Sequence, residues 1–437
     1  MGISKEESPI FNIKLSSVGP GRCTGQDVVH VPSNMDLAMK LHYLRGAYYF
    51  GSQAFQGLTI KKIKEAMFKW LNHYYVACGR FRRSESGRPF VKCNDCGVRI
   101  IEAECDRTVE EWLEMKDLIS QQKLLYPNQV IGPELQFSPQ VLIQITRFKC
   151  GGASLGLSWA HVLGDAFCAA EFIDMWGKFM AGHQLSAQSY EKPGNQLLLS
   201  PEKHLEDPLS VKRVAPVEDH WIVGNSKTKM ETYSFHVSST QLSRLQAEIC
   251  GRNDDFRFPP FESLCAVIWQ SIAKVRKRAE PKVVTICRSD PHDKVKAMLR
   301  NSQVIGVVSA DFPTAEAHAE DLALLITEKL VDDRRKIEAA VESEKGLSDL
   351  VMYGANLTFV NLEDANFYTL ELHGQKPLYV SYAVDGIGDE GVVLVLRTPK
   401  DSSEGGGFCG GRIVSITLPE NEVVGVKSEL KRRWSIT

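Results

Sequence analysis

The feature that most constrains this chain is an apolar passage from Val141 to Met180, broken by one polar turn. Val141 to Lys149 is rich in β-branched residues, Gly151-Gly152 can turn the backbone, and Ser154 to Trp159 returns, so the spacing predicts a buried hairpin. From Asp165 onward, Phe167, Ala170, Ile173, Met175, Trp176, Phe179 and Met180 suit a buried helix better than a surface one. The joining stretch, Ser158-Trp159-Ala160-His161-Val162-Leu163-Gly164-Asp165, puts His161 in a strand-to-helix turn. An imidazole held in one orientation there can serve as a general base near neutral pH. Asp165, four residues on, is better placed to fix the turn by pairing with an arginine than to relay protons.

Length sets the next bound. A chain of 437 residues exceeds one ordinary hydrophobic core, which favours two domains or a doubled architecture. Between about Gly182 and Glu218 the chain turns polar and carries Pro193, Pro201, Pro208 and Pro216, so the expected division is a first domain at 1–182, a crossover at 183–218 and a second domain at 219–437. The 52 basic residues nearly cancel the 54 acidic ones, which removes the simplest argument for a nucleic-acid partner. No uncharged apolar run approaches the roughly 18 residues of a membrane span, so a soluble or peripheral protein is expected. Eleven scattered cysteines, with no signal-peptide pattern ahead of them, indicate a reducing compartment. Met1-Gly2 is followed by Glu6 where a myristoylation signal wants Ser or Thr.

Elsewhere the periodicity predicts a helix from Thr59 through Tyr74 followed by a hairpin of two short strands, Phe90 to Cys93 and Val98 to Glu102. In the second half it predicts a strand near Tyr233 to Val237, a helix after Ser239-Thr240 and another after Pro259-Pro260. Glu320 to Glu344 reads as one charged, solvated helical stretch. Two late strands, Gly391 to Arg397 and Arg412 to Leu418, flank a glycine-rich loop; a strand follows that loop where a phosphate loop would lead into a helix.

Taken singly, the chemical motifs are weak. His-x-x-x-Asp arises readily by chance in a chain with eleven histidines. Gly156-Leu157-Ser158-Trp159-Ala160 approaches a nucleophile elbow, but it lacks the final glycine and puts Ser158 inside a strand. Cys93-Asn94-Asp95-Cys96 has the spacing of a metal knuckle without a second ligand pair, so no metal is expected.

Order and context add what spacing lacks. Tyr74-Tyr75-Val76-Ala77-Cys78-Gly79-Arg80, Cys93 to Gly97, His161 to Asp165, and Phe261-Glu262-Ser263-Leu264 through Trp269 follow one another across nearly the whole chain. Together they resemble the BAHD family of plant acyl-CoA-dependent acyltransferases. The resemblance implies two chloramphenicol-acetyltransferase-like α/β domains with mixed sheets and helices, and a channel between them that reaches His161 from both ends. It implies a late segment near 365–395 that packs on the first domain. Acyl-CoA would be a co-substrate, with no cofactor held permanently. His161 would deprotonate an alcohol or amine that attacks the thioester, and Asp165 would be structural, with Arg288 as its arginine partner.

One departure bears on this chemistry. The family's second signature, Asp-Phe-Gly-Trp-Gly before a basic residue and Pro, is matched here only by Glu371, Lys376 and Pro377 within Glu371-Leu372-His373-Gly374-Gln375-Lys376-Pro377. An intact first motif beside a decayed second one, with Met35 to Tyr43, Phe148 to Gly152 and Tyr353 to Asn361, is most similar to the eceriferum-two and glossy-two clade of plant cuticular wax formation. That similarity implies a monomer that acts with the condensing enzyme (ketoacyl-CoA synthase) of the fatty-acid elongase, at the cytosolic face of the endoplasmic reticulum or in the cytoplasm. Two readings follow: an accessory protein that promotes very-long-chain acyl-CoA elongation, and a working acyltransferase with His161 as general base.

Overall fold

The structure is a computed structural model that describes residues 8–115, 121–183, 206–224, 228–250, 257–292, 299–398 and 411–436. Most of the expected crossover and the glycine-rich loop at 399–410 lie outside the described residues.

The apolar hairpin forms from Val141–Phe148 and Ala153–Ala160, paired antiparallel. All eight residues of Ala153–Ala160 are buried, because this strand lies between Val141–Phe148 and Tyr43–Phe50 in the middle of a six-stranded sheet. Its alternation sends Leu155, Leu157 and Trp159 into the main core, where Trp159 and Phe172 of the helix Ala166–Met180 lie 4.9 Å apart, centroid to centroid. Trp70, on the amphipathic helix Ile60–Leu71, closes the same cluster at 4.1 Å from Phe172. The sheet runs Ile10–Val18, Val98–Cys105, Val141–Phe148, Ala153–Ala160, Tyr43–Phe50, Tyr379–Asp385. Its last strand comes from late in the chain and pairs with Tyr43–Phe50 from Tyr379↔Tyr49 to Asp385↔Tyr43. The buried Arg45 guanidinium fastens that edge through an ion pair with Asp385 at 2.7 Å.

A second, seven-stranded sheet is built from the later half, with Leu357–Asn361 parallel to both Val283–Arg288 and Val392–Arg397 at its centre. Both faces of its central strands are covered, so Val283–Arg288, Leu357–Asn361 and Val392–Arg397 are buried along most of their length. Along Val392–Arg397 the period of two is explicit. Val393 and Val395 enter a core with the helices Pro260–Arg276 and Glu420–Trp434, while Val392, Leu394 and Leu396 join the core of the first sheet.

Two sequence expectations are corrected. Phe90–Cys93 and Val98–Glu102 do not form a hairpin: Pro89–Lys92 pairs with Arg80–Arg83, and Val98–Cys105 enters the large sheet. The tight turn lies at Ser84–Arg88, where Gly87 has φ 84°; Asp95 and Gly97, with φ 55° and 87°, redirect the chain away from a second one. The charged stretch Glu320–Glu344 is not one solvated helix. It is two, Ala319–Glu328 and Arg334–Ser343, separated by the short strand Val331–Asp332. The first buries Leu322 and Ile326 in the second core, and the second buries Ile337 and Val341 in the core of the first sheet. Mean charge concealed an apolar stripe on each.

Candidate active site

His161 begins a single 3-10 turn, His161–Leu163, directly after the central strand. Gly164 follows with φ 155°, and a Cβ there would lie 2.6 Å from Cys168 Sγ and 2.8 Å from the Arg300 carbonyl oxygen, so the turn requires glycine. The Trp159 indole N–H donates to the Gly164 carbonyl at 2.9 Å. Asp165 then caps the helix Ala166–Met180, accepting from the amides of Phe167 and Cys168 at 3.1 and 3.0 Å.

The second oxygen of Asp165 faces the later half of the chain. It accepts from the Ser302 amide at 2.8 Å, the Gln303 amide at 3.0 Å and the Ser302 hydroxyl at 3.3 Å. The Asp165 amide donates back to the Arg300 carbonyl at 3.2 Å. Asn301 extends the clamp: its side-chain amide donates to the His161 carbonyl and to Asp36 Oδ1, both at 2.9 Å. Residues 300–303 thus grip the whole turn just before the strand Val304–Ser309 of the second sheet. Burial raises the Asp165 carboxyl above its ordinary value, opposed by the amides of Cys168, Ser302 and Gln303.

This arrangement corrects the expected Asp165–Arg288 pair. Backbone amides and Ser302 take the lone pairs of Asp165, and among the described residues no hydrogen bond or ion pair joins it to Arg288. Arg288 ends the strand Val283–Arg288 and acts electrostatically on Glu262.

The His161 ring is fully buried, at 0 % exposure, and its Nε2 lies 2.9 Å from the Tyr353 hydroxyl. The Gln303 side-chain N–H donates to the same hydroxyl oxygen at 3.0 Å, and the phenolic hydrogen has two acceptors in reach, His161 Nε2 at 2.9 Å and Gln303 Oε1 at 3.3 Å. His42 completes the cluster, its ring 5.0 Å from Tyr353 and 6.4 Å from His161, with Nε2 accepting from the Met352 amide at 2.9 Å. Burial pushes the His161 imidazole down to about 4, against the pull of its own carbonyl and Asn301. Burial, and then the neighbouring His161, pushes His42 down to about 3. Both rings are therefore neutral near pH 7. The rings of Tyr353 and His42 flank this buried imidazole, 5.4 and 6.4 Å away.

The remaining candidates stand apart from this cluster. Glu371 and Lys376 form an ion pair at 3.5 Å with half or more of each side chain exposed, on either side of a turn in which Leu372 and Gln375 exchange two 3.0 Å hydrogen bonds. Before it, Leu370 packs so closely on the helix Ala166–Met180 that a Cβ at Gly177 would meet it at 2.5 Å. No hydrogen bond or ring contact links Glu371, Lys376 or Pro377 to His161 among the described residues. Ser158 is buried in its strand and accepts from the Arg45 guanidinium, so the elbow reading has no free nucleophile. Cys93 is buried and Cys96 exposed; no group of three or more metal-ligating side chains occurs among the described residues.

His42, Asn301 to Gln303 and Tyr353 escaped the sequence-based choice of site residues. His42 and Tyr353 lie in two of the stretches that carry the clade similarity, which was the available signal, whereas the polar triplet at 301–303 carried none.

Two mixed sheets that meet over a buried His-x-x-x-Asp turn define the two-lobed fold of chloramphenicol-acetyltransferase-like transferases. Solved structures share it: vinorine synthase superposes with a TM-score of 0.71 at 14% identity over 95% of this chain and 96% of that one. The TRI101 protein of F. graminearum, complexed with coenzyme A and deoxynivalenol, gives 0.71 at 13% identity over 93% of this chain and 98% of its own. The chain belongs to the BAHD acyltransferase family: the model described as Transferase family matches residues 32–432. Within it, the chain is 42% identical to Protein ECERIFERUM 26 of Arabidopsis thaliana over 99% of both chains, and 36% identical to Protein ECERIFERUM 2 of the same plant over 97% of this chain and 99% of the relative.

Proposed function

We propose that this protein promotes elongation of very-long-chain fatty acyl-CoAs as a partner of the elongase condensing enzyme, at the cytosolic face of the endoplasmic reticulum, and that it does not turn over as an acyltransferase. One observation carries this reading: the Tyr353 hydroxyl occupies Nε2 of a fully buried His161. An acceptor must bring its own hydroxyl or amine within about 2.6–3.2 Å of that nitrogen to surrender a proton. That position is filled. While burial in this closed site holds it near 4, the imidazole is also a poor base for an alcohol at neutral pH. The decayed second motif at Glu371, Lys376 and Pro377 and the similarity to ECERIFERUM 26 and ECERIFERUM 2 support the same reading. No helix among the described residues is long and apolar enough to cross a membrane, so we assign membrane recruitment to the partner.

A second reading keeps one observation of its own. The turn that presents His161, with Gly164 and Asp165 in place, retains the geometry expected of a transferase that uses acyl-CoA as co-substrate. Co-expression with a condensing enzyme separates the two. The accessory reading predicts copurification and longer acyl products than the condensing enzyme makes alone; unchanged products without copurification would sink it. Steady CoA release by the purified protein from acyl-CoA and an alcohol would establish the transferase.

A further inference from the structure

Tyr353 precedes the strand Leu357–Asn361 in the core of the first sheet, where other tyrosines such as Tyr48 and Tyr74 are also buried. Its phenol places an oxygen 2.9 Å from His161 Nε2, the nearer of two acceptors for its hydrogen, the other being Gln303 Oε1 at 3.3 Å, while the Gln303 side-chain N–H donates to that oxygen at 3.0 Å. The hydroxyl thus does what an acceptor's hydroxyl would do at a general base: it donates to Nε2 from hydrogen-bond distance. The ring behind it lies beside both imidazoles, 5.0 Å from His42 and 5.4 Å from His161.

We infer that Tyr353 is a built-in acceptor surrogate that locks a competent acyl-CoA-cleaving site, an inference that rests on the accessory reading and on acyl-CoA reaching this fold. With the phenol removed, water takes the place of its hydroxyl. Nε2 of His161 accepts a proton from that water as its oxygen adds to the thioester carbonyl. The carbon–sulfur bond then breaks, and CoA departs as a thiolate that takes the proton back from His161. The products are a fatty acid and CoA, with no further reactant. The substrate class of the opened site is a fatty acyl thioester, and its acceptor is water or a small alcohol.

The test is CoA release from acetyl-CoA and from palmitoyl-CoA, read by thiol titration, for the wild type, Tyr353→Ala and the double variant Tyr353→Ala/His161→Gln. The lock predicts that Y353A releases CoA about 100-fold faster than the wild type, the gain typical of general base catalysis, and that the double variant returns to the wild-type rate. A Y353A protein that binds palmitoyl-CoA yet releases CoA no faster than the wild type overturns the lock while leaving the accessory reading intact, and so does a double variant as fast as Y353A. Turnover by the wild type overturns both. Should Y353A fail to fold, diethyl pyrocarbonate on the wild type decides. The exposed His183 and His373 are expected to be modified while His161 stays unmodified, and His161 reacting at their rate overturns the lock.

Discussion

The two family motifs have met opposite fates in this protein. At the first, every polar atom of Asp165 is committed: two amides of its own helix and three donors from Ser302 and Gln303 converge on one buried carboxylate. At the second, Glu371 and Lys376 meet each other in solvent across a two-bond turn. Loss of a water-exposed motif costs the fold little, whereas the buried turn is braced from both halves of the chain. Retention of His161 and Asp165 is therefore weak evidence of catalysis, because the clamp alone would preserve the Asp.

The sharpest way to break the contrast is Asp165→Ala. It strands five donors and is expected to cost about 3–5 kcal/mol in denaturant unfolding, or to prevent folding, in the manner of other buried charged groups that lose their partners. A loss below about 1 kcal/mol would mean that the clamp is ornamental.

Acid should come next. His161 and His42 are held near 4 and 3 when folded, below their unfolded value, so between that value and pH 4 the unfolded chain binds more protons than the native one. Stability from these rings is complete above the unfolded histidine value and is lost as pH falls, by about 1.4 kcal/mol per pH unit for each ring. The raised Asp165 carboxyl opposes this, taking up protons in the folded state. Unfolding free energies between pH 7 and pH 5 test the slope, which His42→Asn should reduce by about one ring's share. A flat profile would contradict the burial of the pair.

Gly164→Ala drives a Cβ into Cys168 Sγ and the Arg300 carbonyl and is expected to cost about 1–3 kcal/mol by the same assay. Glu371→Gln and Lys376→Gln should each stay within about 0.5 kcal/mol of the wild type, the ordinary scale of an exposed ion pair. A larger effect there would erase the contrast between the motifs.

How much of this was legible in the sequence depended on which atoms make each contact. The apolar hairpin and the helix from Asp165 were readable because period and length are properties of side chains, as was the Ser239–Cys250 helix. The turn at His161 was readable for the same reason. The clamp on Asp165 was not, since it is made largely of backbone amides, which every residue carries, where the resemblance implied an arginine such as Arg288. Pairing of Tyr379–Asp385 with Tyr43–Phe50 is set by tertiary packing and by the buried Arg45, beyond any local pattern. Tyr353 stood in plain view within Tyr353-Gly354-Ala355-Asn356, but nothing in its spacing from His161 could reveal a 2.9 Å contact across so much chain.

The central claim is that acyl-chain extension does not use His161 as a base. The most direct measurement is the wax chain-length distribution of cells that carry the condensing enzyme together with either the wild type or His161→Gln. Glutamine keeps an oxygen to accept from the Tyr353 hydroxyl and cannot take a proton from an acceptor at neutral pH. With the variant shown to be folded and present at equal amounts, the account predicts the same shift to longer chains as the wild type. Loss of the shift in that folded variant would contradict it and return His161 to the role of general base.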